Sequence, residues 1–279
     1  MSLKINKPLV SVAWLQTNLK NEKLIILDCT IPKVTSSASV SDKKKQIKGA
    51  VFFDIKNSFS DQKAALPNTV LGPEAFEEKA QDLGIQKDAI VVCYDDLGIY
   101  SSPRVWWMFQ LMGFNNVVVL DGGLPEWTAR GFPIESPKVT QLKRGDFKAY
   151  YHPKKIKNTK GVLKAMANKA SLIVDARTSE RFHGIAAEPR KGLKSGHIPN
   201  AVSLPFGEVQ EHGKMKSAAE LVAIFKSFKN KKEIIFTCGS GITAAILALG
   251  AAIAKVENIA IYDGSWTAWA STEGLPISR

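Results

Sequence analysis

Cysteine is scarce in this chain of 279 residues: Cys29, Cys93 and Cys238 are the three present, an odd number with no C-x-x-C spacing. Neither a disulfide framework nor a zinc site follows from such a set, and a reducing compartment, the cytoplasm, is the expected setting. Long apolar runs are missing too. The longest apolar or small-residue stretch, Ala244–Ala254, is about half the roughly 20 residues that span a bilayer, so it reads as a buried helix and no membrane association is expected. Residues 1–25 mix apolar positions with Lys4, Lys7, Lys20, Glu22 and Lys23 and hold no continuous apolar segment, which argues against export. Acidic residues are outnumbered 26 to 38 by Lys and Arg, leaving a net charge of +12 that favours anionic small substrates or acidic partners. The basic runs Lys43–Lys44–Lys45, Lys154–Lys155 and Lys231–Lys232 are short and lack the interleaved aromatics of a nucleic-acid platform. They read as solvated faces, and no nucleic-acid partner is expected.

What is present is a sequence that repeats itself. "LIILDCT" (24–30) resembles "SLIVDAR" (171–177), and "IKGAVFF" (47–53) resembles "IPNAVSL" (198–204). In the same order, "AIVVCYDDLGIYSS" (89–102) matches "EIIFTCGSGITAA" (233–245) with Asp95 set on Cys238, and "VVVLDGGLPEW" (117–127) matches "IAIYDGSWTAW" (259–269). Two homologous domains follow, over 1–134 and 159–279, with the polar, basic stretch 135–158 as a surface linker. In each copy short apolar, β-branched runs alternate with helical patterns such as "PEAFEEKAQDLG" and "AAELVAIFKSF". That alternation predicts α/β domains, each a mainly parallel sheet with helices on both faces. "SSPRVWWMF" reads as a helix start with Pro103 in the first turn and Trp106, Trp107 and Phe109 in the core.

The stretch "FTCGSGITAA" (236–245) runs from an apolar strand through Cys238 and a glycine-rich turn into a helix. Such a turn aims several backbone N–H groups, and the positive end of the helix dipole, at one point. A cysteine at that point is stabilised as its thiolate, the nucleophilic form. Gly239 and Gly241 permit the backbone angles of a tight loop, and Ser240 and Thr243 can donate hydroxyl hydrogen bonds. The alternative, that Cys238 is a buried and inert thiol, stays open on the loop alone. Cys29 and Cys93 have no glycine-rich turn directly after them and read as structural.

The duplication, "CGSGITA", "DARTSERF", "EPRKGLKSGHIPNAVSLPF" and the closing "YDGSWTAW" together resemble the two-domain rhodanese superfamily of sulfurtransferases over nearly the whole chain. A C-G-S-G-[VI]-T loop looks like its 3-mercaptopyruvate branch, whereas basic residues after the cysteine mark thiosulfate enzymes. The resemblance implies that Cys238 takes sulfur from 3-mercaptopyruvate as a persulfide, releases pyruvate, and passes the sulfur to thioredoxin, a small thiol or cyanide, with no metal or organic cofactor. N–H groups of Gly239, Ser240, Gly241, Ile242 and Thr243 would hold the persulfide. Arg181 in "SERF" and Arg190 in "EPR" match the family's two substrate-binding arginines, as suits a carboxylate facing a neutral loop. Arg177, directly after a strand, reads as a structural ion-pairing residue. Ser240 and Asp54 match positions assigned to proton transfer.

One departure stands out: "LPNTVL" (66–71) puts Asn68 where the family commonly has histidine, so no base is available there. His197 in "GHIPNA" reads as fixing a turn. The first copy carries Asp95 in the nucleophile's place and is expected to be inactive in sulfur transfer, serving as a wall of an inter-domain cleft. A phosphatase loop, C-x5-R, is excluded because the sixth residue after Cys238 is Ala244. A thiosulfate sulfurtransferase and a non-catalytic sulfur-relay module remain as alternatives, the second at odds with two carboxylate-binding arginines.

Overall fold

The computed structural model describes residues 5, 7–32, 45–138 and 142–279, so Lys43 and Lys44 lie outside the described residues. The chain divides into two units. One contains the described residues up to Asp61, Leu71–Tyr151 and His212–Lys214; the other contains Gln62–Val70, His152–Glu211 and Met215–Arg279.

The strands up to residue 135 are β1 (Leu9–Val10), β2 (Leu24–Asp28), β3 (Gln46–Ile47), β4 (Val51–Phe52), β5 (Ile90–Tyr94), β6 (Val117–Leu120) and β7 (Ile134–Glu135). After it come β8 (Ile156–Lys157), β9 (Ser171–Asp175), β10 (Ala201–Ser203), β11 (Gln210–Glu211), β12 (Lys214–Met215), β13 (Glu233–Thr237) and β14 (Ile259–Tyr262). In the first unit the order β1-β6-β5-β2-β4 makes a sheet in which every neighbouring pair is parallel. The second unit repeats it as β8-β14-β13-β9-β10, again parallel throughout. The expected pair of α/β units with parallel sheets is the fold observed. The central strands β5 and β13 are those that end at Asp95 and Cys238.

Continuous apolar strands need cover on both faces, and they have it. Helices α1 (Val12–Asn18) and α4 (Gly123–Ala129) lay Val12, Leu15 and Trp127 against Val92, Tyr94, Val118 and Leu120. The alternate residues Val91, Cys93, Val117 and Val119 are equally buried on the side of α3 (Ser102–Leu111), which packs on β5 and β6. Trp106, Trp107 and Phe109 of α3 are buried, and Pro103 sits in its first turn, where no N–H is needed. Next to it, Phe76 of α2 (Pro73–Asp82) meets Phe109 edge to face. In the second unit α5 (Thr159–Met166) and α9 (Ser265–Ser271) cover one face with Val162, Trp266 and Trp269. Helix α8 (Ala244–Ile253) packs on β13 and β14 and is buried nearly all round, as its unbroken apolar sequence requires. No helix among the described residues is long and apolar enough to cross a membrane. Two short helices complete the unit, α6 (Ser179–Phe182) and α7 (Ala218–Ile224), the latter started by a Ser217–Glu220 capping box.

The stretch 135–158 does more than connect. Phe147 is fully buried among Phe76, Phe109 and Phe114, Glu135 belongs to β7, and Ile156–Lys157 forms the edge strand β8. Phe147 lies close to the exposed Tyr150 and Tyr151 in a polar, basic run with too little periodicity for it to be read as core. Residues 62–70 also depart from their sequence neighbours: Leu66 packs on the core of the second unit, and Val70 N donates to Asp263 Oδ2 at 3.0 Å.

At the end of β5 the turn closes on Asp95, which is fully buried. Its Oδ2 accepts from the backbone N–H of Tyr100, Ser101 and Ser102 at 2.8, 3.0 and 2.9 Å and from Ser102 Oγ at 2.7 Å, while Oδ1 accepts from Leu97 N at 3.1 Å. Turn and helix start thus form an anion nest, filled by the chain's own carboxylate. Asp95→Ala would strip the acceptor from donors that include the buried Ser101 and Ser102 N–H groups. At about 1–3 kcal/mol for each buried donor left unsatisfied, a loss on the order of 3 kcal/mol is expected. It should be read as a lowered urea midpoint, and an unchanged midpoint would show that water replaces the carboxylate at no cost.

Candidate active site

The equivalent turn in the second unit presents a sulfur. Cys238 follows β13 and is 1% exposed, and the N–H of Gly241 points at its Sγ at 3.2 Å. Gly241 has φ +82°, the left-handed region that glycine enters without strain, and this lets the chain turn back over the sulfur. The loop is held from outside by the start of α9: Trp266 N donates to Cys238 O at 2.8 Å, and Thr267 N and Oγ1 donate to Gly239 O at 3.0 and 2.6 Å. Ile242 is buried, and Thr243 stands at the N-cap position of α8 without a side-chain capping bond.

Ser265, which the sequence reading passed over, supports the cysteine directly. Its Oγ accepts from Cys238 N at 3.2 Å and donates to Tyr262 O at 2.8 Å, with Sγ 3.9 Å away. Its φ of +50° equals that of Gly123, its counterpart in the aligned first copy. A serine where the other copy has glycine, at a left-handed position, was the available signal.

Arg181 and Arg190 both approach Gly239. A Cβ placed there would crowd Arg181 Nη2 at 3.1 Å and come within ordinary contact of Arg190 Nη1 at 3.8 Å, so the missing side chain leaves room for the Arg181 guanidinium. Arg181 is held along one edge by Glu188, Nε to Oε1 at 3.3 Å and Nη2 to Oε2 at 2.5 Å. Glu188 in turn accepts from Arg177 Nη1 at 2.7 Å, and Arg177 binds Asp175 through Nε and Nη2, donates to Gly196 O, and lies over the Trp266 ring. Burial alone would push Arg177 down, but Asp175 and Glu188 carry it above the ordinary arginine value. The structural reading of Arg177 agrees with these contacts; Glu188 was missed because an acidic residue in a polar loop looks like surface.

Ser240 is buried, and its Oγ lies 3.1 Å from both Arg190 Nη2 and Asn68 Nδ2. Asp54 belongs to the first unit, where its carboxylate accepts from Lys56 N, Asn57 N and Asn57 Nδ2 and so holds its own turn. His197 stacks on Phe182, donates from Nδ1 to Phe182 O, and pairs its backbone with Ser278. His183 is bonded within its own helical turn. Cys29 and Cys93 are fully buried, and burial, then the neighbouring Cys93, push the Cys29 thiol up. Among the described residues no group of three or more His, Cys, Asp or Glu is placed to hold a metal ion.

The rhodanese-like domain profile matches residues 11–130 and again 159–272. The chain is 35% identical over 277 residues to the 3-mercaptopyruvate sulfurtransferase of Escherichia coli (strain K12), covering 96% of each. It is 37% identical over 279 residues to that of Homo sapiens, covering 96% of this chain and 93% of the other. The solved structure of the 3-mercaptopyruvate sulfotransferase SseA from Escherichia coli superposes with a TM-score of 0.82 at 32% identity, covering 94% of this chain and 99% of that one.

The left-handed serine yields a test that separates its two burdens. Ser265→Ala and Ser265→Gly both leave the buried Cys238 N–H without its acceptor, a loss of about 1–3 kcal/mol. Glycine alone is relieved of the positive φ, so the alanine variant should be less stable than the glycine variant by about 1 kcal/mol in urea denaturation. Equal stabilities would mean that the backbone at 265 carries no strain.

Proposed function

The chain belongs to the rhodanese family, and on that premise we propose that it is a 3-mercaptopyruvate sulfurtransferase in which Cys238 carries the sulfur as a persulfide. The observation that carries this reading is the meeting of two guanidinium groups, Arg181 and Arg190, at the bare Gly239 position of a loop that also points a backbone N–H at Cys238 Sγ. A donor that bears both a sulfur and a carboxylate suits that pairing. The carboxylate and keto oxygen of 3-mercaptopyruvate lie against the arginines, whose planar forks bind two oxygens at once.

Cys238, as thiolate, attacks the donor's sulfur. The sulfur–sulfur bond forms as the carbon–sulfur bond breaks, the electron pair leaves with carbon as the enolate of pyruvate, and the enolate takes up a proton to give pyruvate. The loop N–H groups stabilise negative charge on Cys238 before attack and on the persulfide after it. An acceptor thiolate, on a protein such as thioredoxin or on a small molecule, or cyanide, then attacks the outer sulfur, and the electron pair returns to Cys238 Sγ. A reducing, cytoplasmic setting keeps that thiol free between turnovers. The first domain takes no covalent part: a carboxylate stands at Asp95, and its own loop donors are already bonded to it. Thiosulfate as the principal donor is the alternative, and it lacks the carboxylate that the arginines would recognise.

Intact mass after mixing with 3-mercaptopyruvate should show one added sulfur, absent in Cys238→Ser and retained in Cys29→Ser and Cys93→Ser. Sulfur uptake by Cys238→Ser would end the persulfide mechanism. Arg181→Ala and Arg190→Ala should each lower kcat/KM for 3-mercaptopyruvate by on the order of 10 to 100-fold, with lysine restoring only part. The same substitutions should cost much less with thiosulfate. Equal losses for both donors would remove the carboxylate role.

A further inference from the structure

The polarity of the Ser240 hydroxyl can be read from its neighbours. Asn68 Nδ2 lies 3.2 Å from Ser240 O and 3.1 Å from Ser240 Oγ. A backbone carbonyl can only accept, so the Asn68 amide must present its NH2 to it, and the same NH2 then donates to the hydroxyl oxygen. Arg190 Nη2, which has no acceptor capacity, donates to that oxygen as well, at 3.1 Å. Both acceptor sites of Oγ are therefore taken by donors. The hydroxyl proton is used in neither bond, and no described acceptor receives it, although Ser240 is 6% exposed. It must be given to something the protein does not supply.

Asn68 reaches this place because residues 62–70 belong to the second unit, tied down by Val70 N on Asp263 and by Leu66 in the core. Its own φ is +59°, a conformation in which asparagine is favoured over most side chains. The charged and titratable groups that the described contacts bring near the pair are Arg190, which donates to Ser240, Arg181 beside Gly239, Cys238 in the loop itself, and Asp263, which accepts from Val70 N.

We infer that Ser240 meets the substrate as a fixed hydrogen-bond donor, held in that polarity by Asn68 and Arg190, and that Asn68 is a positioning residue which takes no proton. The inference rests on the sulfurtransferase reading and deepens it. The acceptor is an anionic atom brought by the donor molecule, an oxygen of the keto acid or its enolate. A residue at 68 that can accept a hydrogen bond would capture the serine proton and reverse the arrangement.

The test replaces Asn68 with residues that tolerate the left-handed backbone. Asn68→Asp offers an acceptor to Ser240 when ionised, so kcat/KM for 3-mercaptopyruvate should fall on the order of 10-fold or more at pH 8, from the loss of a buried hydrogen bond to a charged group. That loss should shrink as pH is lowered toward the carboxylate range near 4. Asn68→His should add an inflection near pH 6.5 to the ratio of variant to wild-type rate. Asn68→Gly removes the donor without adding an acceptor and should give a smaller loss, with a ratio to wild type that does not change with pH. Thermal unfolding of each variant separates a failure to fold from a change of polarity. If wild type turns over 3-mercaptopyruvate while Asn68→Asp and Asn68→His keep its rate and pH profile, the donor assignment is wrong and the sulfurtransferase reading stands. If wild type does not turn over, the reading falls and the inference with it.

Discussion

Backbone N–H groups that gather at the end of a central parallel strand, where the chain turns into a helix, have no carbonyl to meet and require a negative partner. Both halves of this protein are built around that requirement. At the end of β5 the partner is the Asp95 carboxylate, whose bonds to Leu97, Tyr100, Ser101 and Ser102 leave it fully engaged. At the end of β13 a sulfur takes the same place, with Gly241 N aimed at it. The first nest is satisfied within the chain itself, because every one of those donors meets a carboxylate oxygen of Asp95. The second nest instead encloses a sulfur, an atom that can form a bond to a further sulfur where a carboxylate cannot. One architecture thus encloses a carboxylate in the first unit and a thiol in the second.

Around the cysteine the positive charge is graded by burial. Arg177 is enclosed, and its charge is fully met by Asp175 and Glu188. Arg181 shares Glu188 but keeps its outer edge toward Gly239, and Arg190 stands over Ser240. A buried guanidinium without a carboxylate would be costly, whereas one carboxylate shared between two arginines fixes the outer one in direction without neutralising it completely. Gly239 in the neutral Gly-Ser-Gly loop belongs to the same arrangement, since a side chain there would crowd the Arg181 guanidinium.

Much of this was legible in the residues alone. The repeated blocks, the strand runs and the order of helices led to two parallel α/β units, because apolar periodicity and turn chemistry are local properties that each segment carries in full. The Cys238 loop was singled out from its own residue types, whereas Arg181 and Arg190 were singled out by the resemblance to the family; the structure brings both guanidinium groups to Gly239 of that loop. Phe147 was not singled out, since the basic run around it has no apolar period to separate it from the exposed Tyr150 and Tyr151. Glu188 and Ser265 were passed over because their importance lies in which distant group each one touches.

Asn68 shows the division most clearly. Its identity, and hence its inability to titrate, was determined by the sequence. That its amide donates to Ser240, 172 positions later in the chain, was decided by the packing of residues 62–70 onto the second unit. Local preferences set which conformations a segment can adopt, but which buried donor meets which acceptor depends on burial and close packing, and these exist only once the whole domain has assembled.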